Sequence, residues 1–308
     1  MTRLRDESGQ AMVMTAIFVV TAIAFVAFAV DLGSWYREHR QAQSTADAAA
    51  LAGAQVLPGN TAGALSLAQT FADKNGSDVA PGGITFRSDY NPNDTVVVKV
   101  SRPAAGFFSS IFGIDSTTVG ATAAARSGVP IEVMGAAPIV VSKQQPQLSG
   151  PGCPCFGPSN EIPDLPLAKV TGLPGGFGLM NLDSSCQNHG TPDVASWVGN
   201  GYSSFLSLGD YCQETGAKFS SSQVRDALTS RVGTNMLFPV YDSYTGNGQK
   251  GTYHIVGWVA FYLKSWTKES GNDFSLDGWF TSVIWNGIQS NTNPNIPDFG
   301  VHTIALVN

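Results

Sequence analysis

The sequence predicts an α+β protein in which an N-terminal transmembrane helix continues into an Ala-rich juxtamembrane helix. A small α-β-β-α-β domain follows, and then a β-rich C-terminal domain with one helix. Three observations predict this order: a long uncharged apolar run, an Ala-rich helical pattern directly after it, and β-branched runs between Gly-, Asn- and Pro-rich turns. The expected divisions are a cytoplasmic tail (1–10), a transmembrane anchor (11–32), a juxtamembrane helix (33–57), a small α/β domain (58–128), a Pro-rich linker (129–169) and a β-rich extracytoplasmic domain (170–308).

The charge balance excludes one broad class of function. The 308 residues include 17 Lys and Arg against 23 Asp and Glu, which gives a formal net charge of −6. A nucleic-acid-binding protein neutralises phosphates with Lys and Arg, so we expect no nucleic-acid partner. Hydrophobic residues make up 43% of the chain, which is enough for a folded core.

The anchor is the clearest single feature. Residues 11–30 are 20 consecutive residues without a charge. As a helix they extend about 30 Å, the thickness of the hydrocarbon core of a bilayer. A cleaved signal peptide is the alternative interpretation, but its apolar region is shorter and ends in a small-residue cleavage site. Here Trp35 and Tyr36 follow instead, where an aromatic interface belt is expected. The sequence therefore favours a retained, single-pass membrane anchor.

The orientation of the anchor depends on the residues after it. Arg3 and Arg5 precede the span, and Arg37 and Arg40 follow it, so the positive charges are nearly balanced. All four Cys lie downstream, in a part of the chain that is poor in Lys. Both features favour a short cytoplasmic N-terminus at the cell membrane, with the body outside the cytoplasm.

The helical pattern continues beyond the anchor as a stripe that ends at Pro58 and Gly59. The C-terminal part of this stripe consists mainly of residues with small side chains. We single out Ala46, Ala50 and Gly53 as helix-contact candidates because small residues allow close helix approach. Two interpretations are open: the stripe packs on the chain's own domain, or it packs on other membrane-anchored subunits. The stripe consists of Leu32, Tyr36, His39, Gln43, Ala46, Ala50, Gly53 and Leu57.

Three short stretches and the anchor together carry a family resemblance. Residues 6–10 (DESGQ), the anchor, residues 30–33 (VDLG) and residues 43–52 (QSTADAAALA) closely resemble the TadE/TadG-like family of tight-adherence (Flp) pilus assembly proteins. Residues 112–119 also resemble the membrane-proximal domain of TadG-like members. The resemblance implies a single-pass protein with an extracytoplasmic body that assembles or anchors an adhesive pilus. It further implies pilus-assembly or pilin-like subunits as partners.

Two departures from the pattern limit what the resemblance implies. Pilins of this system carry Glu at the fifth position after the cleaved Gly, but Met14 stands there after Gly9. Many TadG-like proteins also carry a von Willebrand A domain with an Asp-x-Ser-x-Ser motif. The nearest stretch, residues 242–246 (DSYTG), lacks the required serines. We therefore expect no such domain, and the resemblance does not imply prepilin processing.

The small α/β domain is predicted from alternating helical and β-branched segments. A turn separates its first two strands, at residues 89–94 (DYNPND). This turn lacks the Gly and Glu that an EF-hand loop requires, so we expect a plain hairpin turn. The predicted elements are a helix at 60–76 capped by Asn60 or Thr61, strands at 84–88 and 95–100, a helix at 104–112 and a strand at 117–125.

The remainder of the chain divides by its Pro and Trp content. Eight Pro between residues 129 and 169 predict a linker without regular sheet. Five of the six Trp follow residue 170, in a Gly-rich region that predicts a compact β-rich domain. The expected elements there are a helix at 221–231 and strands at 236–241, 254–264, 279–285 and 301–307.

The four cysteines are Cys153, Cys155, Cys186 and Cys212. In an oxidising compartment two disulfides are the simplest use of them, whereas zinc bound with His189 is an alternative whose spacing matches no common finger. Joining Cys153 to Cys155 would close a small ring, so we expect each of the two to pair with Cys186 or Cys212.

Catalytic motifs are not found in the sequence. There is no G-x-S-x-G or H-E-x-x-H motif, and His254 and His302 lie inside strand patterns. We therefore expect no enzyme, no catalytic or metal-binding residues and no cofactor. The leading hypothesis is a non-enzymatic, membrane-anchored pilus-assembly protein. The alternative is an envelope surface module that binds a carbohydrate or wall polymer through its Trp-rich domain, which requires exposed, aligned Trp.

Overall fold

The chain forms two compact units. They are Met1–Arg126 with Ala305–Asn308, here called unit 1, and Ser127–Ile304, here called unit 2. The computed structural model describes residues 8–76, 79–166, 177–183, 185–187, 189–214, 216–246, 251–268, 274–290 and 295–307.

One continuous helix of 47 residues, α1, spans Ser8–Ala54. It confirms that the anchor and the juxtamembrane helix are parts of a single element. No Pro interrupts the segment. Much of its second half is Ala, and Ala has the highest helix propensity of all residues. Two hydroxyls in the apolar part donate back to helix carbonyls, Thr15 to Ala11 and Thr21 to Ile17, so their polarity is satisfied internally.

The rest of unit 1 includes a helix and the strands β1, β2 and β3, which pair antiparallel in that order. Asn60 caps α2 by accepting a hydrogen bond from the Gly63 N–H. The buried face of α2 consists of alanines spaced by four residues, Ala64, Ala68 and Ala72. The elements are α2 (Thr61–Lys74), β1 (Val79–Arg87), β2 (Thr95–Ala105) and β3 (Ser116–Gly128).

The turn between β1 and β2 is stabilised by its own side chains, as expected of a plain hairpin turn. The Asp94 carboxylate accepts the backbone N–H groups of Asp89, Tyr90 and Asn91 at 2.9 Å each. Arg87 donates to Asp89 through two nitrogens, and this contact holds the pKa of Asp89 below its ordinary value although partial burial opposes the shift. These carboxylates therefore serve the turn itself.

The helix predicted at residues 104–112 is mostly absent. β2 continues to Ala105, paired with β3 along its whole length, and only Ser109–Phe112 forms a short 3-10 turn. The sequence pattern is misleading here because the apolar residues of this stretch are not the buried face of a helix. Phe107, Ile111 and Phe112 are 59%, 78% and 84% exposed.

Unit 2 is built on a seven-stranded mixed sheet. Its order is β6-β12-β11-β10-β5-β7, with β9 also paired to β11, and the β10–β5 pair is parallel. A three-stranded sheet β14-β4-β8 and a parallel pair of β13 with β15 complete the unit's strands within the described residues. The strands are β4 (Pro130–Val133), β5 (Ile139–Ser142), β6 (Ile162–Pro166), β7 (Phe177–Leu179), β8 (Leu206–Ser207), β9 (Gly209–Cys212), β10 (Asn235–Thr245), β11 (Thr252–Lys268), β12 (Phe274–Thr281), β13 (Val283–Ile284), β14 (Gly287–Gln289) and β15 (Val301–Val307).

The expectation that residues 129–169 form no regular sheet is wrong. β5, within this segment, is buried at all four positions and lies between β10 and β7 in the large sheet. The prolines are compatible with sheet because of where they lie. Pro130 begins β4, Pro138 precedes β5 and Pro166 ends β6, while Pro163 lies inside the edge strand β6, where the register against β12 shifts. At such positions a missing N–H costs little.

Helices cover one face of the large sheet. α4 (Thr191–Asn200) and α5 (Ser222–Arg231) bury Val194, Val198, Val224 and Leu228 against it. α5 begins one residue after its N-cap Ser221, as the sequence predicts, whereas α4 is not predicted. The ten residues of α4 include Pro, Trp and Gly, which are not strong helix formers, and its apolar helical pattern is limited to one buried pair, Val194 and Val198. A further single turn, α3, spans Pro146–Ser149.

Candidate functional site

The N-terminal half of α1 is uncovered by the rest of the chain. All residues from 11 to 30 are exposed except the half-buried Ala27. The exposed side chains include Phe18, Phe25 and Phe28, at 73%, 70% and 64%. Among the described residues this is the one helix that is long and apolar enough to cross a membrane. Since apolar surface of this extent is costly in water, the helix supports single-pass membrane anchoring.

A carboxylate at the end of the apolar run attaches the helix to the sheet of unit 1. Asp31 is 4% exposed. Its oxygens accept the backbone N–H groups of Phe107 at 2.8 Å, Phe108 at 3.1 Å and Ser109 at 2.6 Å. A carboxylate that accepts several backbone hydrogen bonds makes strong, charge-assisted contacts. Asp31 therefore holds the loop after β2 against the point where α1 leaves its apolar half.

Two further polar contacts continue this attachment toward the C-terminus of α1. Trp35 donates its indole N–H to the Ala105 carbonyl at 3.1 Å, and the His39 ring nitrogen lies 2.9 Å from the Gly120 carbonyl. Together with Asp31, these residues recur every four positions and lie on one face of the helix. The predicted stripe is therefore one residue off this attached face at Leu32 and Tyr36, which are 50% and 61% exposed, and coincides with it at His39.

The small-residue part of the stripe is buried within unit 1, and at Gly53 it makes a close contact with the chain's own α2. Ala46 and Ala50 are fully buried. A Cβ atom placed on Gly53 would lie 3.1 Å from the Ala64 carbonyl oxygen and 3.2 Å from the Ala68 Cβ, both on α2. These residues are thus covered within unit 1 and are not a free surface for another subunit.

Both disulfides are formed, but their pairing differs from the expected one. Cys153 pairs with Cys155, and Cys186 pairs with Cys212. The expectation that the first two cysteines pair with the second two is wrong because the 150–155 turn folds back on α3. The Cys153 N–H donates to Gly150 and the Cys155 N–H donates to Gln147, which leaves the two Cα atoms 4.5 Å apart. Each disulfide is therefore local and lies within unit 2.

One polar cluster of unit 2 is centred on the buried Glu214. Glu214, 1% exposed, accepts Lys218 Nζ at 2.8 Å and the His189 N–H at 3.1 Å. The His189 ring lies 2.8 Å from Asp183. Burial raises the pKa of Asp183, but the hydrogen bonds from Ser185 and the contact with His189 outweigh burial and hold the pKa below its ordinary value. His189 is thus engaged with carboxylates, while all four thiols are in disulfides.

The two histidines in strand patterns are also paired with aspartates. His254 lies 2.6 Å from Asp210, its register partner across β11 and β9. His302 on β15 lies 2.9 Å from Asp298. Such pairs are the ordinary cross-strand and local contacts of a sheet protein. Among the described residues there is no group of three or more His, Cys, Asp or Glu that could hold a metal ion.

The tryptophans do not form an exposed platform. Trp258 is 1% exposed, and its indole N–H donates to the Pro130 carbonyl at 3.1 Å. Trp285 donates to the Met134 carbonyl at 2.7 Å. The remaining four, Trp35, Trp197, Trp266 and Trp279, are half-buried. This is the arrangement expected of core residues, and it gives no support to a glycan-binding face made of aligned Trp.

The residues that attach α1 to its sheet were missed by sequence reasoning. In the sequence, Asp31 stands out only as part of the stretch at residues 30–33 (VDLG), and Trp35 only as an interface residue. A carboxylate next to a membrane span is energetically costly unless it has a partner. This cost is the one sequence signal that could have indicated a partner for Asp31. The partner loop contains no charged residue from Gly106 to Ile114, so nothing in its sequence indicated the contact.

Comparison with known proteins gives one finding. Residues 9–56 match the model of the Tad family, described as putative Flp pilus-assembly TadE/G-like. The match covers nearly all of α1 and confirms the resemblance carried by that segment. No curated protein and no solved structure matches the chain.

Proposed function

We propose that this chain is a non-enzymatic, single-pass membrane protein that assembles or anchors an Flp-type pilus. The observation that carries the proposal is the division of α1 into two halves. One half is apolar and uncovered, and the other is bound into the small domain of unit 1. An element built in this way transmits the position of a membrane span to a folded body. The family match over residues 9–56 supplies the pilus context.

The proposed topology has residues 1–10 in the cytoplasm, residues 11–32 in the cell membrane and the body outside the cytoplasm. Its support is the pair of disulfides in unit 2, since disulfides persist in oxidising compartments. Reporter fusions test it directly. A periplasm-active reporter at the C-terminus should be active and a cytoplasm-active reporter inactive, and the reverse result would overturn the orientation.

The proposed partners are other pilus-assembly or pilin-like subunits. Since Ala46, Ala50 and Gly53 are buried within unit 1, the apolar surface of α1 that remains for such a contact is its uncovered half. Membrane helices associate through packing of such uncovered faces. We therefore place the subunit contact of α1 within residues 11–30 rather than in the small-residue stripe.

Deletion and an anchor exchange test this role in the bacterium that makes the protein. Deletion should reduce piliation and adhesion, and the intact gene should restore both. A chain whose residues 11–30 are replaced by an unrelated apolar span of equal length should insert in the membrane but recover fewer pilus proteins from detergent extracts. Normal piliation after deletion would show that the proposed function is wrong. If the chain with the exchanged anchor recovers pilus proteins as well as the natural chain does, the subunit contact lies in the body and not in residues 11–30.

A further inference from the structure

The loop between β2 and β3, Gly106–Ile114, is unusually apolar for an exposed segment and is called here the membrane-proximal loop. It has no charged residue. Its large side chains are exposed: Phe107 59%, Phe108 38%, Ile111 78%, Phe112 84% and Ile114 49%. A contiguous apolar patch of this kind marks an interaction surface or a membrane surface.

The position of the loop is defined by its contact with α1. A cavity of about 470 Å³ lies between them. Its helix side includes Val20, Ile23 and Phe28, and its loop side includes Phe108, Ile111 and Phe112. The helix residues belong to the predicted span at 11–30. Val20 precedes Asp31 by 11 positions, which is about 16 Å of helix, so the loop extends beside the membrane half of α1 and not beside its covered half.

The backbone of the loop is suited to a medium without water. The N–H groups of Phe107, Phe108 and Ser109 donate to Asp31. Further N–H groups are satisfied within the loop or at its base: Gly106 to Asp115, Ile111 to Phe108, Gly113 to Ser110 and Ile114 to Ser109. The hydroxyls of Ser109 and Ser110 donate to the carbonyls of Ile114 and Phe107. Internal satisfaction of this kind is required of irregular backbone at membrane depth.

We propose that the membrane-proximal loop is a second membrane-contacting element of this protein. Ile111 and Phe112 insert among the acyl chains, and a phospholipid acyl chain occupies the cavity between the loop and α1. Lipid is the occupant favoured by continuity, because the loop and the uncovered half of α1 form one apolar surface that a bilayer covers on all sides. A helix of a second copy would cover only the side that it contacts.

The consequence is a fixed orientation of unit 1 on the membrane. A single helix leaves a body free to rotate and tilt, whereas a second contact beside it restrains both motions. Asp31 is the positioning residue, because it holds the loop to the helix at the level where the apolar half of α1 ends. The inference concerns how the chain meets the bilayer and stands independently of the pilus role.

The test uses the full chain in nanodiscs of phosphatidylcholine and phosphatidylglycerol. Because all four natural cysteines are disulfide-bonded, an introduced thiol is the single site for a maleimide carrying the environment-sensitive NBD fluorophore. The variants are Phe112→Cys and Ile111→Cys, at exposed positions where replacement does not disturb packing. Leu65→Cys is the matched control: it is 46% exposed in the same unit, on α2, which packs on the far end of α1.

In nanodiscs, the NBD emission of both loop variants should shift to the blue relative to Leu65→Cys. Lipids with a doxyl group on the acyl chain should quench the loop variants several-fold more than the control, and aqueous iodide should quench them several-fold less. Iodide quenching equal to that of Leu65→Cys would place the loop in water and overturn the proposal. Protection from both iodide and doxyl lipid would show that protein covers the loop, which overturns the assignment to lipid.

Discussion

The cores of the two units are built from different side chains. In unit 1 the buried residues of α1 and α2 are almost all alanine, including Ala46, Ala50 and Ala68, packed on valines of β2. In unit 2 the fully buried residues include Trp258 and five phenylalanines. Phe261 is representative: it stacks on Phe238 with ring centroids 5.5 Å apart and meets Phe280 edge-on at 5.6 Å.

The difference shows two ways of filling an interior. Small side chains bring helix backbones close, so unit 1 depends on contacts that have no room for added atoms. Large aromatic rings fill the space between a sheet and its covering helices, so unit 2 depends on volume that is lost when a ring is removed. Unit 1 is therefore sensitive to substitution by larger residues, and unit 2 to truncation.

The largest effect is expected from truncation in the aromatic core. Phe261→Ala should lower the free energy of unfolding of unit 2 by about 3–5 kcal/mol, because the ring is fully buried and its removal leaves a cavity. Hydrogen exchange of peptides from β10 and β11 measures this change in purified protein. Phe205→Ala, at a position that is 44% exposed, is the matched control and should cost far less. Equal costs would contradict the assignment of Phe261 to a tightly packed core.

The two disulfides should differ in their contributions to unit 2. Cys186 and Cys212 are 26 positions apart and Cys153 and Cys155 only two. From loop-closure entropy, replacing the first pair with serines should cost about 3.5 kcal/mol and replacing the second pair about 1.6 kcal/mol. Thermal unfolding followed by tryptophan fluorescence compares them, since unit 2 holds most of the tryptophans. A larger loss from the Cys153/Cys155 replacement would show that its turn has a role beyond chain entropy.

Substitution by a larger residue in unit 1 is expected to cost less than truncation in the aromatic core. Ala50→Leu should destabilise unit 1 by about 1–3 kcal/mol, because the position is fully buried and overpacking forces neighbouring backbone to move. Ala16→Leu is the matched control in the uncovered half of the same helix and should leave the unit unchanged. Leu and Ala have similar helix propensities, so the contrast reports packing alone. Proteolysis of unit 1 in detergent micelles measures it, and indistinguishable variants would show that the α1–α2 contact tolerates added volume.

Elements with strong local signals were predictable from the sequence. The membrane span, the capped helix α2, the helix α5 and strand β15 follow from apolar run length, an Asn cap, and helical or β-branched patterning. These signals depend on neighbouring residues only. The prediction for residues 129–169 was wrong because Pro content is a local signal, whereas the strand ends and the edge strand that accommodate these Pro depend on partners far along the chain.

The candidate site was predicted only in part, for the same reason. The small residues at 46, 50 and 53 indicated a close helix contact, but the sequence left open whether the partner was the chain itself. The pairing of Asp31 with the membrane-proximal loop joins residues more than 75 positions apart. No periodicity or spacing rule reaches over that separation.

The sequence by itself determined that this protein has an apolar span near its N-terminus, a continuous helix beyond it and a family relationship over residues 9–56. These properties follow from transfer free energy and helix propensity, which are nearly additive along a chain. Only the tertiary structure decided which face of that helix is covered, which cysteines pair and where the apolar loop lies beside the anchor. Those outcomes depend on which distant groups satisfy one another's hydrogen bonds and fill one another's space, and that is a property of the folded chain as a whole.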